Sequence, residues 1–384
     1  MEQDSPINPR VLQWARITAG LTIEDVVQKL NRKKVTTETV IAWETGEIAP
    51  TYPQLERLAY EVYKRPLAIF FFPEPPDEET PRQAFRTLPD SEIQRLSSGI
   101  RFLLRRAKSM QINLAELYDG VNPAERQLVR DIRFSLNRPV TDLAKSVREF
   151  LGIDLSEQQE WRNAETAFKA WRRALDAYGV FVFKDAFKDE TVSGFCLHDS
   201  NFPLIYVNNS KPHTYQVFTL FHELGHLLSG TGGIDKLDET YIGVLHGADK
   251  RIEVFCNRFA GAFLVPEADF DQRISQIHID ESSISTLANE YSVSREVILR
   301  RFLDKKLVSQ EYYKQLVERW RSTPHHKKKD GGNYYRTQGA YLGEHYMGLV
   351  FSHLYQNRIS VDQAADYLGV KTGNIAGIEK LLFS

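Results

Sequence analysis

The chain has 384 residues, 42% hydrophobic and 26% charged, with a formal net charge of -2. That length exceeds one simple core and implies two or three domains, and the near-neutral balance argues against a strongly basic nucleic-acid binder. Cys196 and Cys256 are too few for a disulfide framework and fit a reducing compartment. The polar start MEQDSPINPR shows no secretory signal, and no apolar run, PLAIFFFP at 66–73 included, approaches the roughly 20 residues that span a bilayer. A cytoplasmic protein with no membrane partner is expected.

Residues 8–70 predict a set of short helices. Asn8 and Pro9 open the first and Gly20 closes it; Thr22 caps a second, with Glu24 and Asp25 in its first turn; a third runs from Thr36 to Thr45, stopped by Gly46; Pro53 starts a fourth. The stretches WARITAGLTIEDVVQKL and TVIAWETGEIAPTYPQLERLA resemble the Cro/repressor-type (XRE) helix-turn-helix over about 60 residues. The resemblance implies operator DNA as a partner, with Thr36, Thr37, Glu38 and Thr39 toward bases and the basic turn at Lys33 and Lys34 on phosphate. Two features depart from the pattern: Ile23 stands where the family often has Gln, and the third helix is usually more polar or basic than TTET. In addition, nine basic against ten acidic residues in 1–76 give this segment about -1, without the charge that supplies most non-specific DNA affinity. A protein-interaction or dimerisation role is the alternative.

The Pro- and acid-rich stretch 73–90 predicts a linker. Helical patterns fill 91–177, where Arg101, Arg105, Arg106 and Lys108 form either a docking cluster or a solvated face. From Tyr178 the period changes. YGVFVF, TVSGFCLH and FPLIYVNN predict three strands of a small antiparallel sheet, whose edge nearest the site that follows would hold an extended peptide.

The next segment, Tyr215 to Gly230, contains His222-Glu223-Leu224-Gly225-His226. Histidines four apart share one helix face, so both imidazoles reach a single ion with the glutamate beside them; random composition would supply such a pattern only about 0.03 times in this chain. His222 and His226 are candidate Zn2+ ligands, and Glu223 is the candidate base. A third ligand is needed. Glu253, on the helical stretch 249–266, is the choice, with Asn257 one turn on to accept a histidine N–H. Asp235, Asp238, Glu239, His246 and Asp249, in a predicted loop, are the alternatives. HELGH followed by E-x-x-C-N-R-F-A-x-x-F-L-V-P resembles the ImmA/IrrE metallopeptidases, as do FRTLP near Arg86, PLIYVN at 203–208 and VSREVILRRFLDKKLVSQEYY. The resemblance implies a gluzincin-like site with His222, His226 and Glu253 as ligands and Glu223 as base. Cys256 replaces the usual Ala and reads as packing. No oxyanion donor is identifiable among His198, Tyr206, His213, Tyr241, His246 and His278.

Beyond Pro266 come further helices. The basic loop HHKKK in 323–339 reads as solvated, and RISVDQAADYLGVKTGNIAGIEKLL has a second helix-turn-helix-like rhythm. The expected fold is α+β, mostly helical: a helix-turn-helix domain at 1–72, a linker at 73–90, a helical region at 91–177, a metallopeptidase core at 178–322 whose sheet packs on the HELGH helix, and a basic loop with helical end at 323–384. The expected function is a zinc endopeptidase in transcriptional regulation, with a helix-turn-helix regulator as protein substrate. The alternative is a non-catalytic regulator, such as an antitoxin with a toxin partner.

Overall fold

The computed structural model describes residues 7–85, 88–132, 138–161, 163–236, 242–243, 245–322 and 332–383. Arg86 of FRTLP, the alternative ligands Asp238 and Glu239, Tyr241 and the HHKKK run lie outside them. The architecture is α+β and mostly helical, and no helix among the described residues is long and apolar enough to cross a membrane. The chain separates into two compact units, Met1–Ala84 with Leu88–Arg106, and Phe85–Thr87 with Ala107–Ser384.

In the first unit the first three helices each start at a side chain that satisfies a free N–H group. Asn8 accepts from the Arg10 N–H at the start of α1 (Pro9–Thr18), and Thr22 with Asp25 forms a capping box on α2 (Ile23–Leu30). Thr36 and Thr39 do the same for α3 (Thr37–Thr45), which ends at Gly46 with φ 80°, a left-handed position suited to glycine. α4 (Tyr52–Arg57) continues into a turn at Leu58–Tyr63. Val11, Leu12, Val26, Leu30, Val40, Trp43 and Leu55 form the core. The Arg16 guanidinium donates twice to Glu44, at 2.7 and 2.8 Å, joining α1 to α3, and Arg65 stacks on Trp14 while donating to both oxygens of Glu78. Arg101 and Arg105, on α5 (Ser98–Leu117), are half-buried and bonded to the backbone. Arg101 donates to the Leu96 and Ile93 carbonyls and Arg105 to that of Tyr63, so these cations tie the unit together.

The second unit is built on α6 (Val140–Leu151), α7 (Ala164–Ala177) and a four-stranded sheet of β1 (Phe181–Asp185), β2 (Val192–Leu197), β3 (Leu204–Asn208) and β4 (Gly233–Lys236), in the order β1-β3-β2-β4. β2 pairs antiparallel with β3 and β4, but β1 pairs parallel with β3. The sheet is therefore mixed, with four strands instead of three. The tight turn at 199–201 dictates only the β2–β3 pair. Every residue of β1 to β3 is buried, so no alternation reveals which partner β1 takes. β4 was hidden because its sequence, GIDK, carries one apolar side chain and two charges.

Between β3 and β4 runs α8 (His213–Leu228), the HELGH helix, buried on nearly all sides from Gln216 to Leu228. It packs on β2 and against α9 (Gly247–Leu264). Phe221 stacks on Phe263 at 4.0 Å and meets Trp171 edge-on at 5.0 Å, so apolar rings from α7, α8 and α9 lock the helix from below. α10 (Arg295–Asp304) and α11 (Gln310–Ser322) follow, then four α-helices and a short 3-10 turn between Tyr334 and Leu382, with the chain breaking at Gly369 in a left-handed conformation.

Candidate metal centre

His222 and His226 sit one turn apart on α8 with their Nε2 atoms 3.2 Å from each other. Glu253, from α9, places its oxygens 3.7 Å from His222 Nε2 and 3.5 Å from His226 Nε2. Ligand atoms held about 2.0–2.1 Å from one ion at tetrahedral angles lie about 3.3–3.4 Å apart, and the nearest approaches here, with Glu253 Oε2 facing His222 and Oε1 facing His226, are close to that spacing. They form a buried His-His-Glu group that could hold one metal ion. Side-chain exposure is 2% for His222, 0% for His226 and 1% for Glu253.

The protons fit the same picture. Asn257 Oδ1 can only accept, and it lies 3.0 Å from His222 Nδ1, so that nitrogen donates. The 3.2 Å Nε2–Nε2 contact also needs a hydrogen. Burial lowers the His222 pKa, but Asp235, Glu253 and Glu223 outweigh it and raise the group to about 10; with both ring nitrogens donating, it is an imidazolium when no metal is present. The same histidines overcome burial at Glu253 and hold its carboxyl well below the usual range. This is the donor set of a divalent cation site: two imidazoles and a carboxylate that is already ionised.

Glu223, between the histidines, is not one of the three grouped ligands. Both its oxygens are buried, and the only donor beside them among the described residues is the weak thiol of Cys196, too poorly placed for a good hydrogen bond; burial raises the Glu223 pKa to about 7 against the lowering effect of His226 and His222. A buried carboxylate without donors is costly unless water or substrate meets it, and a pKa near neutrality suits a group that takes up and returns protons.

Several supports escaped the sequence reading because they involve contacts between distant segments. Gly233 on β4 lies against the His226 ring, where a Cβ would come 2.3 Å from Cδ2. Gly225 of the motif meets Cys256 so closely that a Cβ would sit 3.0–3.2 Å from it, which makes the buried Cys256 a packing residue of the α8–α9 contact. Thr219 Oγ1 donates to Asp235 Oδ2 at 2.7 Å, fastening β4 to α8 one turn before His222. Asp235 thus belongs to the site's surroundings, outside the His-His-Glu group.

Of the considered oxyanion donors, Tyr206 donates to Asp185 inside the sheet, while His198, His246 and His278 are exposed. In the N-terminal unit, the Thr36 and Thr39 hydroxyls serve the α3 capping box, Thr37 donates to Glu38, and Lys33 and Lys34 are exposed in the turn before α3.

A comparison with protein families matches residues 175–303 to Peptidase_M78, described as the IrrE N-terminal-like domain. The match spans 129 of the 384 residues, from the end of α7 into α10, and contains the whole His-His-Glu group. It supports the ImmA/IrrE family and suggests a zinc-metallopeptidase-like fold for this segment. A comparison with curated proteins found no match.

Proposed function

We propose that this protein is a zinc-dependent endopeptidase in which His222, His226 and Glu253 hold the ion and Glu223 is the general base. The observation that carries the reading is the buried His-His-Glu group, whose ligand atoms all lie within 4.8 Å of one another and which does not include Glu223. When bound, zinc supplies a Lewis acid and lowers the pKa of its water to about 7. The chain does the rest. Asn257 accepts from His222 Nδ1 and leaves Nε2 directed at the ion. Glu223 takes the proton of the attacking water and returns it to the leaving amine. β4, at the sheet edge beside His226, offers its outer edge to an extended substrate strand.

In the same reading, residues 1–72 are a helix-turn-helix domain, 73–90 a linker, 91–177 a helical region, 178–322 the metallopeptidase core and 323–384 a basic loop and helical end. The substrate is a helix-turn-helix regulator, cut in transcriptional control within the cytoplasm. Operator DNA would engage Thr36, Thr37, Glu38 and Thr39, with Lys33 and Lys34 on phosphate. The side chains of His222, Glu223, His226 and Glu253 are all nearly inaccessible, and that observation favours one second reading: a regulator or antitoxin that keeps the fold as a sensor or binding module. Glu223→Gln separates the two. The peptidase reading expects full zinc content with cleavage and biological effect abolished; an intact biological effect sinks it.

A further inference from the structure

A cleft of about 370 Å³ opens beside the metal centre, lined by the first half of α8, by α9 from Lys250 to Gly261 and by α10. Asn257, the hydrogen-bond partner of His222, and Arg301 both line it. Five basic and three acidic side chains line it, an excess of positive charge in a chain that is slightly acidic overall. The three acids are already engaged. Asp235 accepts from Thr219 at 2.7 Å, Glu296 from the Tyr215 and Tyr313 hydroxyls at 2.9 and 3.3 Å, and Asp304 from Arg300 at 3.4 Å.

Arg301 is different. Its Nε and Nη2 are buried with no hydrogen-bond partner among the described residues. A guanidinium edge of this kind is shaped for two parallel bonds to a carboxylate, and leaving charged donors unmet in a partly dry site is costly. The side chain crosses α9 at Gly261, where its Cδ lies 3.9 Å from the position of a Cβ. Gly261 is eight residues beyond Glu253 on the same helix face, about 12 Å along the axis at 1.5 Å per residue. An extended peptide covers that distance in three to four residues at about 3.3 Å each.

We propose that Arg301 is a specificity-determining residue that binds a substrate carboxylate, so that the enzyme prefers an Asp or Glu three to four residues from the scissile bond. The proposal rests on the endopeptidase reading for the position of that bond, but carboxylate binding is testable without turnover. The probes are decapeptide pools amidated at the C-terminus, with one fixed Glu or one fixed Gln among randomised neutral positions, and a third pool of neutral residues ending in a free carboxylate. They are captured on full-length, zinc-loaded Glu223→Gln protein and read by mass spectrometry. The expected result is enrichment of the Glu pool over the Gln pool by about tenfold or more, retained in part by Arg301→Lys and abolished by Arg301→Met. Enrichment of the third pool alone assigns the site to a chain terminus and overturns the internal acidic preference. Equal retention of the Glu and Gln pools, or enrichment unchanged in Arg301→Met, also overturns the proposal. Should Arg301→Met fail to fold, as judged by lost zinc content, the Glu-to-Gln ratio on the parent protein decides. If acid-selective binding holds while the wild-type protein cuts none of the pools, the peptidase reading falls and the carboxylate site stands.

Discussion

Gly233→Ala tests how closely the metal centre depends on β4. An added Cβ would lie 2.3, 2.4 and 2.6 Å from His226 Cδ2, Cγ and Nε2, about 1 Å short of ordinary contact at 3.4 Å. The imidazole cannot retreat, because His226 is fully buried and its Nε2 is already packed on His222 and Glu253. The strand cannot retreat freely either, since Ile234 pairs with Phe195 and Asp235 accepts from Thr219. A ligand displaced by a sizeable fraction of 1 Å leaves the tetrahedral position, and loss of support for a ligand typically costs 10–100-fold in metal affinity or activity. Zinc affinity of the apo-protein is to be measured by competition with a chelating dye, alongside circular dichroism to verify the fold. The expected outcome is a folded variant with zinc binding weakened at least tenfold. Wild-type affinity in Gly233→Ala would refute the placement of β4 against His226.

Other consequences follow from the same geometry. Asn257→Ala removes the acceptor of His222 Nδ1–H and should weaken zinc binding by about 10–100-fold, whereas Asn257→Asp should retain it; unchanged affinity in the alanine variant contradicts the orienting role. Because His222 is held protonated to about pH 10 when metal-free, zinc uptake at pH 8 should release about one proton, seen by calorimetry in buffers of different ionisation enthalpy; no release contradicts the imidazolium assignment. Lys184 is buried in β1 over the Phe168 ring, and burial lowers its pKa from 10.5 to about 7. Between those values the unfolded chain binds the extra proton, so stability rises with pH across about 7–10.5, by an amount on the order of a few kcal/mol. Lys184→Met should flatten that rise in urea unfolding, and an unchanged slope counts against the burial. Phe221→Ala, which removes a fully buried ring stacked between Phe263 and Trp171, should destabilise the unit by about 3–5 kcal/mol in the same assay.

The site was far more legible in the sequence than its surroundings. HELGH carries its own geometry, since helical spacing alone brings His222 and His226 to one face, and Glu253 with Asn257 repeats that spacing on a second helix. What the spacing could not reveal was any contact between segments without a local pattern. β4 shows no strand-like run, yet it supplies Gly233 under His226 and Asp235 to Thr219. The parallel β1–β3 pair was hidden by strands buried on both faces. The first unit was read well at its helix ends, because Asn8, Thr22, Thr36 and Gly46 act within a few residues of themselves. Arg101 and Arg105 are half-buried and bonded to backbone carbonyls, those of a local turn for Arg101 but that of the distant Tyr63 for Arg105, which no local pattern reveals.

The central claim is that the buried His-His-Glu group with Glu223 cuts polypeptide. The most direct measurement is a census of new N-termini, by mass spectrometry, in a protein extract treated with the zinc-loaded wild-type chain or with zinc-loaded Glu223→Gln. The account predicts a small set of new termini with the wild-type chain that is absent with Glu223→Gln, at equal zinc content. The same set of termini in both samples, or none in either, would contradict it.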